Sequence, residues 1–196
     1  MKEPLPLARI HDAIIEFLCN RDDAVLFGAQ AVNAYVDEPR MTQDVDMLST
    51  HARELAEELR AHLAAVFSIA VRIREAASGQ GFRIYQLRQP KNRHLADVRQ
   101  VMTLPPTLLI SEVRVPTPEE LVAQKVISLT ARSAQPKGDS DRRDLKMLLL
   151  TFPKLKAEAG PVIGRLRALG ASQAALAEWA ALVAMDIQSE GDAEEF

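Results

Sequence analysis

The sequence predicts an α+β fold, in which a mixed sheet flanked by helices is followed by a helical C-terminal part. Two observations support this class. Short apolar runs rich in β-branched and aromatic residues, separated by glycine breaks, alternate with helical segments as far as residue 115. From Pro116 onward, apolar residues recur only at helical spacing. We therefore expect an α/β domain over residues 1–115 and a helical domain over residues 116–196.

The composition sets limits on the class of protein. With 196 residues, 47% hydrophobic and 26% charged, the chain can bury a core without disulfide support. Cys19 is the one cysteine, which excludes an intramolecular disulfide and a thiolate-rich metal site. A formal net charge of −3 does not by itself indicate nucleic-acid binding, so a polyanionic partner would need a local basic patch.

The chain has no run of roughly 20 apolar residues, the length that a membrane span requires. Its first four residues also lack the apolar core of a signal peptide. We therefore expect a soluble cytoplasmic protein with no membrane partner.

The first elements alternate between helix and strand. In chain order, the pattern predicts a helix over 5–20, a strand over Ala24–Phe27, a helix over 29–35 and a strand over 45–48. A helix follows, for which Ser49 or Thr50 is the expected N-cap. Strands are then expected over 66–75, 81–88, 94–101 and 111–115, with a hairpin turn at 78–81.

The remaining elements are predicted to be helices. Thr117 is the expected N-cap of the first, with Pro118 at its first position and Glu120 completing a capping box. A polar loop over 133–140 precedes the second helix, and two more helices over 161–187 separate near Gly170. The acidic tail, residues 189–196, is expected to fray.

Asp44 and Asp46 are separated by one residue at the start of a predicted buried strand. Residues at i and i+2 of a strand point to the same face, so both carboxylates would project together. Two close negative charges favour a cation between them, and carboxylate oxygens suit Mg²⁺. This pair therefore predicts a magnesium site.

Asp97 is the best candidate for the third carboxylate that a two-metal site needs. It lies in a predicted strand that could pair beside the first, where it would bind a metal or accept the proton of an attacking hydroxyl. His94 precedes Asp97 by three residues. Regular strand alternation would put the two on opposite faces, which argues against a shared metal site.

Gly28 lies between a predicted strand and helix, where glycine allows a backbone to approach a ligand closely and a helix N-terminus attracts phosphate. Gln30 adds a side-chain amide close by. Arg40 and Thr42, just ahead of the carboxylates, could bind triphosphate oxygens. An Asp-x-Asp pair or a single glycine is common without any function. The ordered combination after a buried strand favours nucleotide chemistry.

The segment from Gly28-Ala29-Gln30-Ala31 to Arg40-x-Thr42-x-Asp44-Val45-Asp46 resembles the signature of the nucleotidyltransferase superfamily. It is most similar to the AbiEii-like toxins of type IV toxin–antitoxin systems, and the resemblance covers about residues 25–150. This implies a nucleotidyltransferase-like sheet and two Mg²⁺ ions held by the three aspartates. It also implies transfer of a nucleoside monophosphate from a nucleoside triphosphate to a hydroxyl of RNA, such as tRNA, or of a protein. A cognate antitoxin would be a partner.

Two helical segments are also similar to family elements. By this resemblance Lys125 would reach the nucleotide phosphates as a catalytic residue. Asp141 or Asp144 would orient Lys125 or contact the nucleotide. The alternative is a purely structural ion pair between two packed helices.

Ala29 departs from the family pattern, because relatives commonly carry glycine or serine after the first glycine. Alanine preserves the backbone contact with the nucleotide and removes a hydroxyl ligand. Two other functions therefore stay open. One is adenylylation of a small molecule such as an antibiotic, and the other is a non-catalytic binding module.

Overall fold

The computed structural model describes residues 5–188. The chain forms two compact units. The first unit consists of the chain up to Ala34 together with Pro39–Pro116. The second consists of Tyr35–Glu38 together with the chain from Thr117 onward. The division into functional domains 1–115 and 116–196 stays a prediction. The acidic tail that we expected to fray, 189–196, lies outside the described residues.

The first unit contains three helices and seven strands in its described part. The helices are α1 (Leu7–Leu18), α2 (Gly28–Asn33) and α3 (Ala52–Phe67). The strands are β1 (Ala24–Phe27), β2 (Val45–Ser49), β3 (Val71–Glu75), β4 (Gly81–Gln86), β5 (Arg93–Gln100), β6 (Thr107–Ile110) and β7 (Val113–Pro116). Five of them form a mixed sheet in the order β1-β2-β5-β4-β3, in which only β2 and β5 run parallel. Strands β6 and β7 form a separate hairpin.

One face of the five-stranded sheet is apolar and buried. Met47 in β2, Ile84 in β4 and Val98 in β5 are fully buried, and α3 packs against four of the five strands. The leucines that α3 presents at helical spacing are buried with them. Because side chains alternate along a strand, the polar residues between these apolar ones lie on the opposite face. The candidate site lies on that opposite face.

Two of the predicted strands are wrong in their bounds. Helix α3 continues through Phe67, and β3 begins only at Val71, because the helical apolar spacing outweighs the strand preference of Val66 and Phe67. The strand predicted over 111–115 contains a turn. Ser111 and Glu112 both have positive φ angles, of 47° and 67°, and join β6 to β7 as a two-residue hairpin.

The regular elements of the second unit are all helices in its described part. It comprises α4 (Pro118–Ala131), α5 (Pro136–Thr151), a 3-10 turn (Pro153–Leu155), α6 (Pro161–Ala168) and α7 (Gln173–Ala184). Helix α4 packs against α5, α6 and α7. The two helices predicted on either side of Gly170 are confirmed. The loop predicted over 133–140 is too long, because Pro136 begins α5 as a first-turn proline.

The predicted helix caps differ in detail. Helix α3 begins at Ala52 after His51, with no side-chain cap from Ser49 or Thr50. Its first amide instead donates to the side-chain oxygen of Gln100, at 3.0 Å. Thr117 does precede Pro118 at the start of α4, but its hydroxyl caps no amide of the helix.

Candidate active site

The centre of the site is a pair of aspartates on neighbouring parallel strands. Asp46 in β2 is directly opposite Asp97 in β5, so both carboxylates lie on the same polar face of the sheet. Asp44 lies one residue before β2 begins. The three predicted carboxylates therefore gather at one end of the β2–β5 pair.

His94 joins this group, contrary to the sequence-based expectation. Its Nδ1 atom lies 3.1 Å from Asp44 Oδ2, and its Nε2 atom lies 3.0 Å from Asp97 Oδ1. The cause is an irregularity in the pairing of β4 with β5, where Ile84 faces Ala96 but Tyr85 faces His94. The extra residue, Leu95, shifts the alternation, so His94 and Asp97 share a face.

The charge of His94 is set by its two carboxylate neighbours. Hydrogen bonds to Asp44 and to Asp97 raise the pKa of His94 to about 10, against the lowering effect of burial. The ring is therefore a cation at neutral pH. It offsets the repulsion that the carboxylates of Asp44 and Asp97 would otherwise experience.

A divalent cation fits the side chains gathered here. Asp44, His94 and Asp97 offer ligand atoms that all lie within 4.8 Å of one another. Two carboxylates supply the hard oxygen atoms that Mg²⁺ prefers, and an imidazole nitrogen is a ligand for transition metals.

Asp46 lies against the backbone at the start of α2. Gly28 has a φ of 68°, which glycine adopts without strain, and a Cβ atom placed on it would lie 2.3 Å from Asp46 Oδ2. On its other side, the Asp46 carboxylate lies 3.6 Å from the Arg99 guanidinium. Gly28 is therefore required both for its backbone angle and for the space that Asp46 occupies.

The other residues predicted to bind nucleotide lie around α2 and the segment before β2. Gln30 donates from its amide to the Thr42 hydroxyl, at 3.0 Å. Asn33 donates to the Arg40 carbonyl at 2.8 Å and accepts from the Arg40 amide at 3.0 Å. These bonds tie Arg40 and Thr42 to α2. Ala29 is half-buried beside Gly28.

Lys125, Asp141 and Asp144 form a charge network in the helical unit. The Lys125 ammonium lies 3.0 Å from Asp141 Oδ1 and 2.6 Å from Asp144 Oδ2, and all three side chains are buried. Arg132 reaches the second oxygen of Asp141, at 2.6 Å. The two carboxylates fix the position of the Lys125 amine. A catalytic role for the three residues stays a prediction.

Several residues that contact the predicted site were not expected from the sequence. Arg83 and Arg99 approach Asp97 and Asp46 from the neighbouring positions of β4 and β5, at 3.5 and 3.6 Å. Asn33 holds Arg40 by its backbone. The one trace of His94's position in the sequence is that two consecutive apolar residues, Leu95 and Ala96, separate His94 from Asp97. Such a pair is compatible with a bulge but does not by itself predict one.

The chain is similar to known proteins in sequence and in fold. The profile of a family described as "Nucleotidyl transferase AbiEii toxin, Type IV TA system" matches residues 17–153, more than half of the chain. The crystal structure of the Megavirus polyadenylate synthase is similar, with a TM-score of 0.61 and 15% identity. That match covers 78% of this chain and 33% of the viral enzyme. The chain thus spans about a third of that enzyme's length.

JHP933 from Helicobacter pylori is also similar, with a TM-score of 0.52 and 11% identity over 90% of this chain and 88% of that protein. At such identities the two structures establish the fold alone. Together with the five-stranded sheet and its flanking helices, they confirm the predicted fold class. No curated protein sequence matches the chain. Among the described residues, no helix has the length and apolar character needed to cross a membrane.

Proposed function

Because the chain belongs to the AbiEii family of nucleotidyltransferase toxins, we propose that it transfers a nucleoside monophosphate from a nucleoside triphosphate to a hydroxyl group. The acceptor on this proposal is an RNA such as tRNA, or a protein, and the transfer arrests growth until a cognate antitoxin counters it. The observation that carries the proposal is the gathering of Asp44, Asp46 and Asp97 at one end of the β2–β5 pair.

The roles of the acidic residues follow from the reaction. The acceptor oxygen forms a bond to the α-phosphorus, the bond from that phosphorus to pyrophosphate breaks, and the acceptor proton must go to a base. Asp97, whose Oδ1 atom His94 and Arg83 both contact, would accept this proton directly or bind the metal that activates the acceptor hydroxyl. Asp44 and Asp46 would bind the cation that neutralises the phosphate.

Magnesium, as two ions, is the proposed cofactor, and Asp44, Asp46 and Asp97 would hold it. When bound, it would lower the charge on the α-phosphate and on the departing pyrophosphate. The residues around Gly28 would act on the triphosphate directly. Gly28 and Ala29 allow close backbone approach, while Gln30, Thr42 and Arg40 supply polar groups that α2 holds in place.

Lys125 is the residue of the helical unit that we propose takes part in catalysis. Its amine would bind the nucleotide phosphates, and Asp141 and Asp144 would position it or contact the nucleotide. The buried bonds from Lys125 to both carboxylates support the positioning role, because they fix the amine in one place.

The decisive experiment incubates the protein with each labelled triphosphate, Mg²⁺ and separate acceptor pools of total RNA, protein and aminoglycosides. We expect label on RNA or protein, and none after Asp44→Asn or Asp46→Asn. Asp22→Asn is the matched control, because Asp22 is an exposed aspartate outside the site. Label on aminoglycosides alone would instead support antibiotic adenylylation.

Growth supplies an independent readout of the toxin role. Expression of the wild-type chain should slow growth, and expression of the Asp44→Asn or Asp46→Asn variant at equal level should not. Equal toxicity of the wild type and both variants would contradict the proposed link between transfer and growth arrest. Calorimetry that detects no binding of any triphosphate with Mg²⁺ would favour the non-catalytic alternative.

A further inference from the structure

The polar face of the sheet extends beyond the acidic site towards its β3 edge, where it becomes basic. Arg72 and Arg74 in β3, Arg83 and Tyr85 in β4, and Arg99 in β5 all point to this side, as the strand registers require. The four arginines are exposed and Tyr85 is half-buried. We call these five residues the arginine face.

The arrangement of these arginines is unfavourable without a partner. Arg74 is directly opposite Arg83 across the β3–β4 pair. Arg72, two residues before Arg74 in β3, is opposite Tyr85. Like charges placed directly opposite each other on neighbouring strands repel. The Asp97 carboxylate lies 3.5 Å from the Arg83 guanidinium and offsets part of its charge. The Asp46 carboxylate does the same for Arg99. Arg72 and Arg74 lie further along the face, towards the sheet edge.

Tyr85 supplies an aromatic ring in the middle of this charged surface. The Arg74 guanidinium lies 5.7 Å from the centre of the Tyr85 ring, and the His94 ring is tilted against Tyr85 with centroids 5.0 Å apart. His94 in turn contacts Asp44 and Asp97. A continuous set of contacts therefore leads from the arginines through an aromatic ring to the carboxylates.

We propose that the arginine face binds the unpaired end of a polynucleotide strand and leads it to Asp97. The positive charges of the arginines complement the negative charges of a phosphodiester backbone, and Tyr85 offers a surface on which one base can stack. Proteins that bind single strands combine these two features, a cationic track and aromatic platforms. This inference rests on the proposed function, because it assigns the acceptor of that reaction to a particular surface.

The net charge of the whole chain is −3, so its overall field repels nucleic acid and binding must depend on this local surface. Each arginine that neutralises a phosphate releases counterions. The logarithm of affinity for single strands therefore falls with the logarithm of salt concentration by roughly 0.7 per contact. Removing one contact should thus change the slope by a defined amount.

The test measures the fluorescence anisotropy of a labelled single strand of roughly 12 nucleotides, as RNA and as DNA, without triphosphate or added metal. We expect the Arg72→Gln/Arg74→Gln variant to bind roughly 10 to 30 times more weakly at about 0.1 M salt, with a salt slope reduced by roughly 1.4. Arg9→Gln is the matched control, because it removes one exposed arginine from α1. It should leave both the affinity and the slope unchanged.

Base stacking is tested separately with Tyr85→Leu. This variant should bind the unpaired strand roughly tenfold more weakly. For an abasic strand of the same length, the affinity of the variant should equal that of the wild type, because no base is present to stack. Weakening that is equal for both strands would show that Tyr85 only supports the fold around His94.

The outcomes separate this inference from the proposed function. If the double arginine variant binds like Arg9→Gln, or if the wild type binds no single strand, the arginine face is not the acceptor surface, whatever the transfer assay shows. If the strand binds as expected but no triphosphate is ever transferred, the proposed reaction fails and the binding surface stands. Preference for blunt duplex over the unpaired strand would also overturn the inference.

Discussion

Gly28 leaves the space that the Asp46 carboxylate fills, because a Cβ atom at Gly28 would lie 2.3 Å from Asp46 Oδ2. The first glycine of the motif and the second aspartate of the Asp-x-Asp pair are thus a single packing unit. A side chain at position 28 would displace the Asp46 carboxylate from its place opposite Asp97.

Gly28→Ala should therefore reduce transfer by roughly a hundredfold or more, since it displaces a carboxylate at the reacting centre. Gly79→Ala is a matched control with the same φ of 68°, but nothing lies within 4 Å of its added Cβ. Both variants should lose about 1 kcal/mol of unfolding free energy from backbone strain. Equal transfer rates in the two variants would contradict the role given to the Gly28–Asp46 contact.

His94→Asn should destabilise the protein when no divalent metal is bound, because the carboxylates of Asp44 and Asp97 would then repel each other without the imidazolium between them. We expect a loss of about 1–3 kcal/mol in unfolding free energy, measured by urea denaturation in the presence of a chelator. Added Mg²⁺ or Mn²⁺ should restore more stability to this variant than it adds to the wild type. His51→Asn, an exposed substitution, should respond to metal like the wild type. The same metal response in all three proteins would count against the charge-compensating role of His94.

Lys125→Met should lower the unfolding free energy by about 3–5 kcal/mol, because it leaves the carboxylates of Asp141 and Asp144 buried without their shared cation. Combining it with Asp144→Asn should recover part of that loss by removing one of the negative charges. Transfer activity, measured on the recovered double variant, then reports the joint catalytic contribution of Lys125 and Asp144 separately from stability. Activity near the wild-type level in that double variant would leave Lys125 a structural residue only.

Tyr35 gives the protein a sensitivity to alkali. Burial, with a smaller effect of the Glu119 charge, raises the pKa of Tyr35 from 10.0 to about 12. Below pH 10 the phenol is neutral whether the chain is folded or unfolded, so it makes no pH-dependent contribution. Between pH 10 and 12 only the unfolded chain ionises fully, so the free energy of unfolding should fall as pH rises.

The chain has two tyrosines, which makes this titration directly observable. In a Tyr85→Phe variant, ultraviolet absorbance should report the single phenol of Tyr35 ionising near pH 12. The stability of a Tyr35→Phe variant should fall less steeply over the same pH range. A phenol that ionises near pH 10 in the folded Tyr85→Phe protein would contradict the raised pKa of the half-buried Tyr35.

The sequence predicted the family and fold class because its motif is local. Gly28, Asp44 and Asp46 lie within one strand-helix-strand segment, where spacing alone constrains which side chains can meet. The family match over residues 17–153 confirms that resemblance. Asp97 was predictable because it lies in a run of strand-forming residues, and the pairing of that strand with β2 places it opposite Asp46.

What the sequence did not predict depends on contacts between distant segments. The position of His94 follows from an extra residue in β5 where it pairs with β4, and strand alternation alone does not show such a bulge. The turn at Ser111 lacks the glycine or asparagine that usually accompanies positive φ angles, so a continuous strand was the natural interpretation. The first turn of α3 is capped by Gln100, which is 48 residues away in the chain.

The short segment Tyr35–Glu38 has a consequence for how the chain can be divided. It belongs to the helical unit, where the Tyr35 ring meets Phe152 edge-on, although both its flanks belong to the sheet-bearing unit. A fragment that ended at residue 116 would therefore leave the Tyr35 ring without Phe152. The two units are interlaced in sequence, so one cleavage between them cannot release two self-sufficient halves.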